Sequence, residues 1–279
     1  MDRIAGEIYL ENGIKKESLK INYLFDTKGF QYYEVIRCSE GILLFLEDHL
    51  ERLYSNLPDR DIKADSLKIT VEEYLYRLVY FNENRIGNVK LVCGYCNNNW
   101  NFATYYIPHD YPADELFDRG IKLTTLRKER PDPNRKQIHV NEKIKKEIDK
   151  KKSQTQAYEI LLIDKQDFVT EGSKSNIFFI DKEKLFSPPD RSILPGVTRK
   201  YVLKIAKDQG IEIVNEAIRL SSIARFQSAF ICGTSPKILP VHAIGSISFQ
   251  TDNKIITSIS NAYNIAIQQY IEEKLNEKQ

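Results

Sequence analysis

Apolar residues recur along the chain with two alternating periods. Residues 6–10, 20–24, 32–38 and 42–46 are short runs rich in β-branched and aromatic types, which predicts strands, with turns at Asn12-Gly13 and Glu40-Gly41. From Asp48 the period lengthens: Leu50, Leu53, Tyr54 and Leu57 share one helical face within 48–57. Leu75, Leu78 and Val79 mark a second amphipathic helix over 71–79, and 88–95 and 102–107 return to strand composition. Pro108-His109-Asp110-Tyr111-Pro112 breaks any regular element and marks a domain boundary.

The second half opens with a strand at 121–126 and an irregular loop at Arg130-Pro131-Asp132-Pro133-Asn134. Val140, Ile144 and Ile148, four apart, predict a helix whose other faces are basic. Strand-like runs at 158–163, 168–170 and 176–180 suggest an antiparallel meander. A helix at 198–208 closes on Gly210, strands follow at 211–214 and 229–232, and a last helix carries Ile256, Ile259, Tyr263, Ala266, Ile267 and Tyr270 on one stripe. The expectation is a mixed α/β (α+β) chain with a smaller N-terminal domain, 1–118, and a larger C-terminal domain, 119–279.

Composition narrows the function classes. Of 279 residues 42% are apolar, which excludes disorder over most of the chain, and a net charge of +2 argues against a general nucleic-acid or anionic-membrane binder. The glycine spacing contains no G-x-G-x-x-G, no G-x-x-x-x-G-K and no G-x-S-x-G, which removes the common dinucleotide, P-loop and hydrolase motifs. Cys93-Gly94-Tyr95-Cys96 lacks a second ligand pair, and His49, His109, His139 and His242 are scattered, so no metal is expected. The first residues lack the apolar stretch of a signal peptide, and a cytoplasmic location is the default expectation.

Four segments hold residues suited to chemistry. Leu194-Pro195-Gly196-Val197-Thr198-Arg199 is a turn opening a helix, where free N–H groups favour an anion, or where the Thr simply caps the helix. Cys232-Gly233-Thr234-Ser235-Pro236 follows an apolar strand and reads as an anion-binding nest or an ordinary turn. In Thr170-Glu171-Gly172-Ser173-Lys174-Ser175-Asn176, Glu171 is either a solvated turn residue or a fixed carboxylate facing a ligand. Within His49-Leu50-Glu51-Arg52-Leu53, Arg52 either reaches inward to a phosphate or lays its stem along the core.

Taken in order, these segments resemble the class IV aminotransferases, the fold-type IV pyridoxal-phosphate enzymes. That family includes D-amino-acid and branched-chain aminotransferases and aminodeoxychorismate lyase. The match is carried by Tyr33-Glu34-Val35-Ile36-Arg37 with Phe45 to Leu53, by 158–164 with Val169 to Ser173 and Ser175-Asn176, by Leu194 to Arg199, and by Gly233-Thr234 with Pro240-Val241. The resemblance implies a two-domain fold like that of D-amino-acid aminotransferase, a homodimer, and pyridoxal 5′-phosphate as cofactor. It also implies roles. Arg52 and Thr234 hold the cofactor phosphate with the amide of Val197 and the amide and hydroxyl of Thr198. Glu171 pairs with the pyridine nitrogen, and Tyr33 lines the substrate pocket.

The chain departs from the family at the Schiff-base lysine. Counting from Tyr158 and from Asn141 reaches Ile138, which is not a lysine. A two-residue insertion brings Lys136 into the role; Lys143 and a site without the lysine are the alternatives. Lys90 aligns with a basic position of other members and is the candidate substrate contact. Tyr95 stands where some members carry an Arg, so substrate-carboxylate recognition differs there. The implied activity is amino transfer between an amino acid and a 2-oxo acid through a lysine Schiff base. Its alternatives are the lyase reaction giving 4-aminobenzoate and pyruvate, and a non-catalytic binder lacking the lysine.

Overall fold

Two tight turns set the register of the first sheet. Asn12 and Gly13 have φ of 50° and 77°, and Glu40 and Gly41 have 55° and 80°. Left-handed geometry at both central residues is that of the two-residue hairpin, whose twist matches the flanking strands. The first turn joins β1 (Ile8–Glu11) to β2 (Ile14–Glu17), and the second joins β3 (Gln31–Ser39) to β4 (Ile42–Leu43). With β5 (Gly87–Cys96) and β6 (Asn99–Ile107) they form an antiparallel sheet in the order β2-β1-β6-β5-β3-β4. The computed structural model describes residues 4–18, 31–57, 64–96, 99–130, 132–137 and 142–277. The strand expected at 20–24 and the position of Val140 lie outside them.

Helices α1 (Leu46–Asn56) and α2 (Ala64–Asn82) cover one face of this sheet. Their Leu50, Leu53, Val71, Leu75 and Leu78 share a buried core with Tyr32, Ile36 and Cys38 of β3 and Val89, Leu91 and Cys93 of β5. The opposite face buries Tyr9, Val92, Ala103 and Tyr105, with Tyr33 packed against them. The strand expected over 42–46 stops at Leu43. Leu44 and Phe45 turn the chain into α1, and Phe45 takes a left-handed φ of 53° while its ring packs on Tyr270.

The chain forms two compact units. One comprises Met1–Asp110, Arg135–His139 and Ile267–Gln279; the other comprises Tyr111–Asn134 and Val140–Ala266. The second unit holds α3 (Glu115–Arg119), β7 (Ile121–Arg127), α4 (Glu142–Thr155), β8 (Glu159–Ile163), β9 (Val169–Gly172), β10 (Asn176–Asp181) and β11 (Lys184–Ser187). It continues with α5 (Val197–Asp208), β12 (Ile213–Asn215), β13 (Ser228–Gly233), β14 (Lys237–Ile244) and β15 (Ile247–Ser248), and α6 (Lys254–Asn276) follows. Its sheet runs β12-β11-β10-β13-β14-β7-β8-β9, with β15 on β14. The pairs β11·β12, β14·β7 and β7·β8 are parallel and the rest antiparallel. Phe179 stacks on Phe226 at 4.8 Å in its core, and on the other face Phe178 stacks on Phe230 at 5.1 Å.

The expected meander is corrected at one step: β8 and β9 pair, but β10 pairs with β11 and β13. A buried carboxylate diverts the chain. Glu159 accepts the Lys174 N–H at 2.5 Å and the hydroxyls of Ser175 at 3.1 Å and Ser173 at 3.3 Å, so the loop is drawn onto β8. Among the described residues no helix is long and apolar enough to cross a membrane.

The two hairpins provide a matched stability test. A Cβ on Gly41 would touch only Arg85 Nε at 3.6 Å, whereas one on Gly13 would sit 2.4 Å from the Tyr74 ring. Gly41→Ala is expected to cost about 1–2 kcal/mol for the left-handed backbone alone. Gly13→Ala is expected to cost more, and the excess should shrink in a Tyr74→Ala background, as read by denaturant unfolding.

Candidate functional site

Strand alternation places Glu34 on the helix-facing side of β3, between Tyr32 and Ile36, where its side chain is 0% exposed. A carboxylate there needs partners, and α1 supplies two of them three residues apart. Arg52 makes a fork, with Nε donating to Oε1 at 2.8 Å and Nη2 to Oε2 at 2.5 Å. His49 Nδ1 meets Oε2 at 2.8 Å. A third partner comes from 102 residues further along the chain. The Tyr33 N–H donates to the Lys136 carbonyl at 3.0 Å, Tyr32 bridges to Gln137, and Lys136 Nζ reaches Glu34 Oε2 at 3.4 Å.

Burial alone would push the Glu34 carboxyl upward. The charges of Arg52 and Lys136, with the hydrogen bonds from His49 and Arg52, outweigh it and hold the group well below the usual carboxylate range. Burial lowers the His49 pKa against the raising effect of Glu34, so the ring is neutral at pH 7 and gives Nδ1–H to the carboxylate.

On the opposite face of the same strand, Tyr33 is approached by two ammonium groups. Lys90 Nζ lies 4.6 Å and Lys136 Nζ 5.2 Å from the ring centroid. Tyr33, Lys90, Arg52 and Lys136 are thus gathered around one stretch of β3. Tyr95 is not with them. It packs edge-on to Trp100 at 5.3 Å, and Trp100 lies against the helix-covered core.

Glu171, Val197, Thr198 and Thr234 belong to the second unit. Glu171 is buried, not a solvated turn residue. Arg130 Nε lies 2.9 Å from its Oε1, while the Leu194 N–H donates to Oε2 at 3.0 Å and Asn176 Nδ2 approaches it at 3.4 Å. Asn176 also donates to the Leu194 carbonyl at 2.9 Å, so the Glu171 loop and the 194–196 turn are tied together. Gly196 is required there because a Cβ would stand 2.1 Å from Asn176 Oδ1. Gly196 is also the N-cap of α5, so the alternative in which Thr198 caps the helix is not the one formed: Thr198 lies inside the first turn and its hydroxyl meets Tyr263 Oη at 3.3 Å. With no side chain at the N-cap, the first-turn N–H groups of α5 remain for an anion or for water. Thr234 is half-buried in the β13–β14 turn, and the preceding Gly233 lies beside the Lys174 carbonyl.

Each unit, taken by itself, holds groups suited to a phosphorylated heteroaromatic cofactor. One unit offers a guanidinium and a primary amine; the other offers an uncapped helix start with a threonine hydroxyl and a fixed buried carboxylate. Sequence reasoning missed Glu34 and His49. The available signal was a charged residue at a core-facing position of an alternating strand, followed by a polar pair flanking the Leu50/Leu53 stripe.

A family model, Amino-transferase class IV, matches residues 31–244. The D-alanine aminotransferase of Bacillus licheniformis is 26% identical over 253 residues, covering 84% of this chain and 87% of its own. The aminodeoxychorismate lyase of Bacillus subtilis (strain 168) is 25% identical over 288 residues, covering 96% and 97%. Among solved structures, the branched-chain aminotransferase of Thermoproteus uzoniensis with norvaline superposes with a TM-score of 0.80 at 21% identity, covering 98% of each chain. By the span of the family model and the fold it shares with such neighbours, this chain belongs to the class IV aminotransferase family.

Proposed function

We propose that the chain binds pyridoxal 5′-phosphate and moves an amino group between an amino acid and a 2-oxo acid. The observation that carries this reading is the company kept by Lys136. Its amine shares the Glu34 carboxylate with Arg52, the expected phosphate ligand. On α4, by contrast, Lys146 and Lys150 are exposed.

Pyridoxal phosphate, when bound, supplies an aldehyde that exchanges amines and a ring that accepts the electron pair left when a substrate Cα loses its proton. Lys136 Nζ is the amine the chain offers to that aldehyde. The same Nζ would take a proton from the substrate Cα and return it as general acid. Arg52, its Nε/Nη2 edge held by Glu34, would attract the phosphate by its charge, and in the second unit the Val197 amide, the Thr198 amide and hydroxyl, and the Thr234 hydroxyl would serve the same group. Glu171 would hold a proton on the cofactor's ring nitrogen. Tyr33 and Lys90 serve the substrate, with the Lys90 ammonium as the partner for a carboxylate. The family reading also makes the working form a homodimer, which sedimentation of the purified chain tests.

The lyase reaction is the second reading, because the Bacillus subtilis lyase spans 96% of this chain, more than the 84% of the D-alanine aminotransferase. Pyruvate release from aminodeoxychorismate, set against amino transfer from a panel of D- and L-amino acids, separates the two.

Three outcomes are expected. Borohydride reduction should fix the cofactor on Lys136, and Lys136→Ala should abolish that labelling while the protein stays folded by circular dichroism. Label on Lys143 would move the role there, and bound cofactor without label would favour a binding protein. Arg52→Ala should weaken cofactor binding about tenfold more than Arg52→Lys, which keeps the charge but loses the fork. The readout is ligand-induced thermal stabilisation, and equal loss would show that the guanidinium's shape contributes nothing beyond its charge. Glu171→Gln should retain cofactor while turnover falls about a hundredfold or more; unchanged turnover would leave Glu171 as a structural residue.

A further inference from the structure

We infer that Glu34 is a positioning residue that holds the Lys136 amine and the Arg52 guanidinium on one buried carboxylate, with His49 fixing the carboxylate's orientation. This rests on the reading above for what the two cations do, but the geometry is independent of it. Oε2 accepts from three donors, Arg52 Nη2, His49 Nδ1 and Lys136 Nζ, at 2.5, 2.8 and 3.4 Å, and Oε1 accepts from Arg52 Nε at 2.8 Å. No solvent reaches Glu34 to replace a missing partner.

The charge count gives the arrangement its direction. One carboxylate faces a guanidinium and an ammonium while His49 stays neutral, so the buried cluster carries a net positive charge. Such a cluster favours an incoming phosphate. Glu34 occupies the Nε/Nη2 edge of Arg52, which orients the guanidinium before any anion arrives. It also tethers the Lys136 amine beside the Tyr33 ring. Among the described residues, the groups facing Glu34 include Arg52 and His49 from α1, Lys136 from the 135–137 segment, and the Cys93 thiol from β5.

The test uses the whole chain without cofactor. Competitive acetylation of Lys136, followed by mass spectrometry across pH, reads the protonation of its amine. Affinity for pyridoxine 5′-phosphate, which has the phosphate but no aldehyde, reads the Arg52 arm separately. Glu34→Gln should move the Lys136 acetylation midpoint to lower pH by about one unit or more. It should also weaken pyridoxine phosphate about tenfold. Glu34→Asp keeps the charge and should restore the midpoint while recovering only part of the affinity, because its shorter side chain cannot span both cations. An unchanged midpoint in Glu34→Gln overturns the proposal. If Glu34→Gln does not fold, wild-type affinity in Glu34→Asp overturns it, and failure of both variants to fold makes Glu34 a purely structural ion-pair partner. A shifted midpoint with no borohydride label on wild-type Lys136 would sink the cofactor reading while leaving the role of Glu34 intact.

Discussion

A carboxylate in the middle of a core-facing strand row is the constraint to which much of the first unit answers. An uncompensated buried charge costs several kcal/mol, so Glu34 of β3 dictates what must surround it. It requires α1 to present His49 and Arg52 on the side that also carries Leu50 and Leu53, which fixes the rotation of that helix on the sheet. It also gives Lys136 and Gln137 a reason to lie along the edge of β3, where a backbone hydrogen bond from Tyr33 and a bridge from Tyr32 hold them. The strand's two faces then divide the work: Glu34 grips Arg52 on the helix side, Tyr33 meets Lys90 on the other, and Lys136 at the strand edge reaches both.

The second unit uses buried carboxylates differently. Glu159 is raised by burial, against hydrogen bonds from the Lys174 amide and the Ser175 hydroxyl, because its close donors are neutral. Glu34 is lowered because its donors include two cations. Each solution suits its task. Glu159 shapes the loop after β9 and needs only directional acceptors. Glu171, at the end of β9, is held by the Leu194 amide, Asn176 and Arg130, and thereby joins the strand to the turn that opens α5.

Much of this architecture was legible in periodicity. The α5 helix and its Gly210 terminus, the stripe of α6 and the alternation of β3 all follow from local spacing, which local backbone geometry obeys. Strand β14 was not legible because Pro240 interrupts its run, and only pairing with β13 and β7 on either side stabilises it. The pairing of β10 was hidden for a related reason, since its partner β13 comes much later in the chain and no local spacing records the match. In the site, the ordered motifs pointed to Arg52, Glu171 and Thr198. Glu34 and His49 stayed hidden within the same motifs because their meaning lies in a contact across 15 residues of sequence. Lys136 lay off the expected spacing, and only its place beside Glu34 separates it from the other lysines nearby.

One peripheral feature bears on how the molecule behaves in concentrated solution. All four residues of β2 are exposed, and it is the outermost strand of its described sheet, so its outer backbone edge offers hydrogen-bonding groups to any extended chain. Lys15 and Lys16 sit in that strand, one over the Phe81 ring and the other paired with Glu11. A foreign strand adding to this edge would have to desolvate both ammonium groups, and a second copy would bring its own lysines against them. The charge on this short strand therefore guards against sheet-to-sheet aggregation, and neutralising it by acylation would remove a solubility safeguard without touching any residue of the core.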